Sequence, residues 1–356
     1  MPQKQLAQEY PPAGEQEVTL RLADRLKAKV VRENPPGSLR RDAHAKMHGL
    51  VKAEFIVEPN LPPELRVGVF KEPRTFQAWI RYSNQHSLLR ADIKPDLRGM
   101  AIKLMGVEGE KLLEAEKHEK TQDFILCSHP AFFTSDVQEF DDLIVALTGS
   151  TPGMIWYFLT HWKMDWILFK AMKKFANPLQ MRYWSATPYL FGAGKAIKYS
   201  AIPHLGQLDT IPENPDHDYL RYALASTVRK GSVSFDFAVQ LQVDADKMLI
   251  EDTAQTWSEE VSPFRKVATI IIPQQECDSD MQRAFGENMS LNPWHSLPEH
   301  RPLGGTNRAR KFIYEFISKF RHEQNQTPRK EPTSWDIATG ATPASTRMLE
   351  PQAEEA

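Results

Sequence analysis

Gly231-Ser232-Val233-Ser234-Phe235-Asp236-Phe237-Ala238-Val239-Gln240-Leu241-Gln242-Val243 alternates apolar and mostly polar side chains. Strand side chains point to opposite faces in turn, so Val233, Phe235, Phe237, Val239 and Leu241 share one face. This pattern predicts a strand with one face on a core. Downstream, Val267 to Ile272 is a short buried-type strand that stops at Pro273. Upstream, Val51 to Val57 is rich in β-branched and aromatic residues and stops before Pro59. Phe76 to Ser83 and Gly99 to Met105 read as two more strands. Turns, not regular crossover helices, separate these runs. The fold class is therefore α+β, with an antiparallel sheet or barrel and added helices.

Helical patterns surround the strands. Residues 15–33 form a charged amphipathic helix, with Val18, Leu20, Leu22, Leu26 and Val30 on or near one stripe, ended by Asn34-Pro35-Pro36-Gly37. Residues 134–147 form a second, with Ser135 as N-cap. Residues 153–176 crowd Trp156, Tyr157, Phe158, Trp162, Trp166, Ile167, Phe169 and Phe175 into one helical segment. A last helix runs from about Asn307 to His322. The division expected is an N-terminal arm and helix (1–37), a central domain (38–322) and a disordered, Pro-, Thr-, Ser- and Glu-rich tail (323–356).

Composition narrows the function. The 356 residues are 41% hydrophobic and 25% charged, which is enough apolar material to enclose a cofactor. A net charge of -2 gives no pull toward nucleic acid. Two cysteines, Cys127 and Cys277, exclude a disulfide framework and Cys-rich metal sites. The first residues lack a signal-peptide core, and no run of about 18 apolar residues occurs. A cytoplasmic location is expected.

Three groups carry candidate chemistry. Arg310, Tyr314 and Arg321 lie four and seven residues apart, which puts two cations and a phenol on one helix face. A phenol titrates near 10, so a phenolate at pH 7 needs about 4 kcal/mol of help. A ferric ion on the oxygen and a cation one turn away would supply that. Taken alone, the pair is equally an amphipathic helix with a core tyrosine. His44, in Arg41-Asp42-Ala43-His44-Ala45-Lys46, has the side-chain type of a proton shuttle, with His48 as a competitor. Arg81 sits in the apolar run Trp79-Ile80-Arg81-Tyr82-Ser83, where burial demands an anion; otherwise it faces solvent. Asp96-Leu97-Arg98-Gly99 reads as a turn held by an ion pair, in support of the following strand.

In order and spacing, these pieces resemble the catalase superfamily of haem proteins. His44-Ala45-Lys46 is similar to the distal histidine motif, and Arg81-Tyr82-Ser83 to the Arg-Phe-Ser strand. Asp96 to Lys103 is similar to Asp-Pro-Arg-Gly-Phe-Ala-Val-Lys, and Pro130-Ala131-Phe132-Phe133 to Pro-Val-Phe-Phe. Asn292-Pro293, Leu297-Pro298 and Arg310-Lys311-Phe312-Ile313-Tyr314 resemble the run that supplies an axial tyrosinate.

The resemblance implies a catalase-like barrel holding haem b. Tyr314 would bind its iron, with Arg310 as charge partner and Arg41, Arg81 and Arg321 on the propionates. Phe133 would contact the cofactor. His44, held by Ser83, would move protons on a peroxide. Two departures stand out: Ser128 replaces the family's distal asparagine, with His129 beside it, and Ala43 precedes the distal histidine.

The implied function is a haem peroxide-consuming oxidoreductase. Its alternatives are a lyase or isomerase of fatty-acid hydroperoxides, similar to allene oxide synthases, and a non-catalytic haem carrier or sensor. The aromatic and lysine mixture of 153–176 reads either as a helix packed on the barrel or as a peripheral contact with a membrane or lipid.

Overall fold

A computed structural model describes residues 4–337. Eight strands close a barrel: β1 (Met47–Val57), β2 (Thr75–Asn84), β3 (Arg98–Met105), β4 (Thr121–Cys127), β5 (Tyr183–Trp184), β7 (Ala196–Pro203), β8 (Val233–Leu241) and β9 (Arg265–Ile272). The order is β5-β4-β3-β2-β1-β9-β8-β7, β7 pairs back onto β5, and every pairing is antiparallel. The two-residue β6 (Tyr189–Leu190) adds to β7.

The alternation in 231–243 places side chains as read: Phe235, Phe237 and Val239 are fully buried, with Val233 and Leu241 packed at the margin. Phe55, Phe70, Phe124, Phe237 and Tyr199 fill the barrel together with His300. A small barrel is filled by its own side chains, and each buried phenylalanine contributes about 1.5–3 kcal/mol.

Among the described residues, seven helices surround the barrel: α1 (Glu15–Glu33), α2 (Val137–Thr148), α3 (Thr151–Thr160), α4 (Trp162–Ala171), α5 (Tyr219–Lys230), α6 (Asp280–Asn288) and α7 (Gly305–Gln324). α1, α2 and α7 share an apolar cluster of Leu22, Leu26, Val30, Val137, Ile144, Ala309, Ile313 and Ile317. Leu20 is not on that stripe. It lies two residues, about 200°, from Leu22 and is exposed. The N-cap of α2 is Asp136, not Ser135: its carboxylate accepts the Glu139 amide, while Ser135 bonds the Glu139 side chain. The aromatic segment is two helices, broken at His161, not one.

The tail expected to be loose is docked through residue 337. Glu331 reaches Lys103 Nζ at 2.7 Å and accepts the Thr121 hydroxyl at 2.8 Å. The Trp335 indole donates to the Ala78 carbonyl at 3.0 Å, and its ring packs with Leu50, Trp79, Met105 and Met289. Burying an indole and neutralising a buried lysine hold the segment down, which composition could not reveal. The remainder of that expected tail, 338–356, lies outside the described residues.

Candidate active site

The outer face of β2, β3 and β4 forms a floor. Arg81 pairs with Ala101, which pairs with Ile125; Ser83 pairs with Gly99, which pairs with Cys127. The alternate residues Ile80, Tyr82 and Ile102 point into the barrel core. Gly99 and Ala101 hollow this floor. A Cβ on Gly99 would lie 2.6 Å from His44 Nδ1 and 2.8 Å from Ser83 Oγ, so only glycine leaves room for the imidazole. Leu26 of α1, Val137 and Phe140 of α2, and Thr306 to Arg321 of α7 supply the opposing wall. The cavity is open to solvent at its mouth.

All the expected site residues except Ser128 line this cavity: Arg41, His44, Arg81, Ser83, Phe133, Arg310, Tyr314 and Arg321. His44 adopts a left-handed backbone (φ 58°), which is uncommon for a residue other than glycine. Its amide donates to the Gln85 carbonyl at 2.8 Å, and its Nδ1 lies 3.0 Å from Ser83 Oγ. No described residue hydrogen-bonds its Nε2. Burial, reinforced by Arg81, Arg310 and Arg41, pushes the imidazole down to about 3, so it is neutral at pH 7. His48 is not a competitor: it is buried on β1 and bonds Asn84 Oδ1 at 2.6 Å.

Tyr314 comes from α7, one turn after Arg310. Its hydroxyl has no hydrogen-bond partner among the described residues. Burial raises this phenol, and the Arg310 guanidinium opposes that rise. Arg310 is held by Thr187 Oγ1 (3.3 Å) and Asn307 Oδ1 (3.4 Å) and lies over the Phe132 ring.

Arg41, Arg81 and Arg321 converge on one carboxylate, Glu287 at the end of α6, at 3.1, 3.6 and 3.6 Å. Burial and the neighbouring Arg41 lower Arg81 to about 9, and its buried Nε has no partner. Three cations sharing one anion leave room for further negative charge. Elsewhere the lining is apolar, with Leu26, Met100, Ile125, Val137, Phe140, Ala309, Ile313 and Ile317. An aromatic macrocycle with two carboxylates and a central metal fits this donor set: a greasy slot, arginines at one edge and an unpaired phenol.

Ser128 departs from expectation. Its hydroxyl accepts the Arg98 amide at 2.9 Å, and its own amide donates to the Arg98 carbonyl at 2.9 Å. Continuing the β3–β4 pairing turns it from the cavity. His129 is also absent from the lining, its Nδ1 lying against the Ala131 backbone, 3.0 Å from the carbonyl oxygen and 3.3 Å from the amide nitrogen. Arg98 is a structural anchor, buried on Asn84 and on the carbonyls of Asp92 and Lys94. Sequence reasoning missed two lining or capping groups. Gln85 brings a carboxamide with no hydrogen bond among the described residues. Glu287 is one of two acids in α6, with Asp280, and nothing in its sequence surroundings singles it out.

No protein-family model and no curated protein matches the chain. Solved structures do. A fungal catalase superposes with TM-score 0.65 at 18% identity, over 99% of this chain and 75% of its own. Catalase A from Saccharomyces cerevisiae gives 0.65 at 19%, over 100% and 77%. A bacterial catalase gives 0.63 at 17%, over 99% and 70%. With its closed eight-stranded antiparallel barrel and flanking helices, this chain has the catalase fold.

Proposed function

We propose that the cavity holds haem b, whose iron Tyr314 would bind, and that the protein is a peroxide-consuming oxidoreductase. One observation carries the reading: a phenol beside Arg310, with no hydrogen-bond partner among the described residues, shares a cavity with a neutral, Ser83-held histidine. Arg41, Arg81 and Arg321 would hold the propionates, and Phe133 would pack on the macrocycle. A haem so held supplies the iron chemistry that cleaves an O–O bond, and a tyrosinate ligand favours that cleavage.

The chain's own residues do the rest. With its proton on Nδ1, directed to Ser83 Oγ, His44 presents an acceptor lone pair at Nε2. A neutral imidazole can take a proton from one peroxide oxygen and return it to the other. The apolar lining keeps water scarce around that transfer. The test pairs two variants. Tyr314→Phe should lose haem or change its absorption spectrum; unchanged content and spectrum would end the ligand assignment. His44→Ala should keep its haem and lose roughly 10²–10⁴-fold in peroxide consumption; full activity would remove His44 from the chemistry.

A second reading has its own support. Ser128 and His129 are turned away, and the walls beyond the polar edge are hydrocarbon. A fatty-acid hydroperoxide would suit such a cavity, with rearrangement replacing net redox change. Oxygen release from hydrogen peroxide separates the two: rapid release supports a catalase, and none from haem-loaded protein favours the lyase or isomerase.

A further inference from the structure

The consecutive helices α3 and α4 expose all three of their tryptophans, Trp156, Trp162 and Trp166. α3 contains no charged residue, yet of its ten residues only Tyr157 is buried. Trp156 is 68% exposed, Leu159 73%, Trp162 69% and Phe169 75%. Scattered exposed apolar residues are ordinary, but two consecutive helices presenting their largest aromatics mark a contact surface. Lysines accompany them. Residues 150–176 hold Lys163, Lys170, Lys173 and Lys174 against Asp165 alone, in a chain whose net charge is -2. Lys170, Lys173 and Lys174 are exposed and meet no carboxylate among the described residues. Lys170 lies instead over the Trp166 ring.

We propose that this pair of helices lies in the surface of an anionic lipid bilayer, aromatic rings at the acyl boundary and lysines at the phosphates. Its dimensions suit that posture. Ten-residue helices are about 15 Å long, half a hydrocarbon core. No described helix is long and apolar enough to cross a membrane. The charge selects a bilayer over a second copy of the chain. A two-fold interface sets a patch against itself, so one copy's lysines would face the other's, whereas lipid phosphates answer them. On the inner side Tyr157, Met164 and Ala171 share an apolar cluster with Phe133, and Phe132 and Phe140 pack against that cluster; all three phenylalanines line the cavity. Docking would therefore set the cavity's phenylalanine wall directly behind the lipid-facing surface. The docking does not depend on what the cavity binds.

The experiment sediments the full chain with phosphatidylcholine vesicles, with and without phosphatidylserine, and records tryptophan emission. Binding to phosphatidylserine vesicles only, weakened by salt and with a blue-shifted emission, is expected. Lys173→Gln and Lys174→Gln should each weaken it about fivefold. The exposed-site variant Trp156→Ser/Leu159→Ser/Phe169→Ser should stay in the supernatant while melting like the parent. Failure of the parent to bind phosphatidylserine vesicles, or equal binding by the triple variant, overturns the proposal. So does a dimer, seen by light scattering, that the triple variant converts to monomers.

Discussion

Two buried charge clusters in this molecule follow opposite rules. Around Lys103, every charge meets an opposite one: Lys103 pairs with Asp123 and Glu331, and Arg329 with Glu331 and Glu116, beside His295. Lys103 and Asp123 are sealed from solvent. Around Glu287, three guanidinium groups share one carboxylate that is about a third exposed. Desolvating a charge is costly, so a cluster serving only the fold is expected to be balanced. A cation excess facing a cavity is instead expected where a ligand completes the balance. Cations are thus outnumbered by carboxylates around Lys103 and outnumber them three to one around Glu287, and that difference marks the second cluster as the one open to an anionic ligand.

That contrast can be broken experimentally. The largest effect should come from Lys103→Met, which leaves Asp123 and Glu331 buried against each other. Unfolding free energy should fall by about 3–5 kcal/mol in urea titrations, and a loss below about 1 kcal/mol would mean that the balanced cluster is not holding the fold. Arg81→Leu should behave in the opposite way. Its stability should change by under about 1 kcal/mol, while haem affinity drops roughly 10–100-fold in Soret titrations, the worth of a lost charge-assisted bond. A large loss of stability there would erase the distinction.

Glu287→Gln probes the same edge more gently. Removing the internal anion should raise haem affinity several-fold, an order-of-magnitude expectation from one fewer competitor for the arginines. Its pH signature is smaller still. Burial alone would raise the Glu287 carboxyl, but Arg41, Arg81 and Arg321 outweigh it and hold it below the ordinary 4.5. A carboxyl lowered by folding contributes stability above its unfolded value and loses it as pH falls through the folded one. The stability difference between parent and Glu287→Gln should therefore shrink below about pH 4.5, and a pH-independent difference would remove Glu287 from the acid response.

Some strands were legible and others were not, for a physical reason. Runs overlapping β1, β2, β3, β8 and β9 announce themselves because one or both faces are hydrocarbon. β4 begins Thr121-Gln122-Asp123, all buried, and its polarity makes sense only beside Lys103 and His295. β7 similarly buries Lys198 against the Gln255 carbonyl. Burial, opposed by Asp252, lowers that lysine to about 7. α5 and α6 were also missed. In the cavity, residue types could be read from local motifs, whereas the direction of Ser128 is set by its pairing with Arg98. Glu287 became visible only when four separate elements met.

The strap formed by residues 325–337 also has a meaning in time. Glu331 follows its partner Lys103 by 228 positions. At about 5–20 residues per second, a ribosome spends roughly 11–46 s between the two. Once Asp123 has been made, it alone can answer the lysine for the rest of that interval, and the indole of Trp335 has not yet covered Trp79 and Leu50. The barrel, whose last strand ends at Ile272, thus carries an unfinished polar seam until Glu331 has been added, and that fastening comes from outside the barrel altogether.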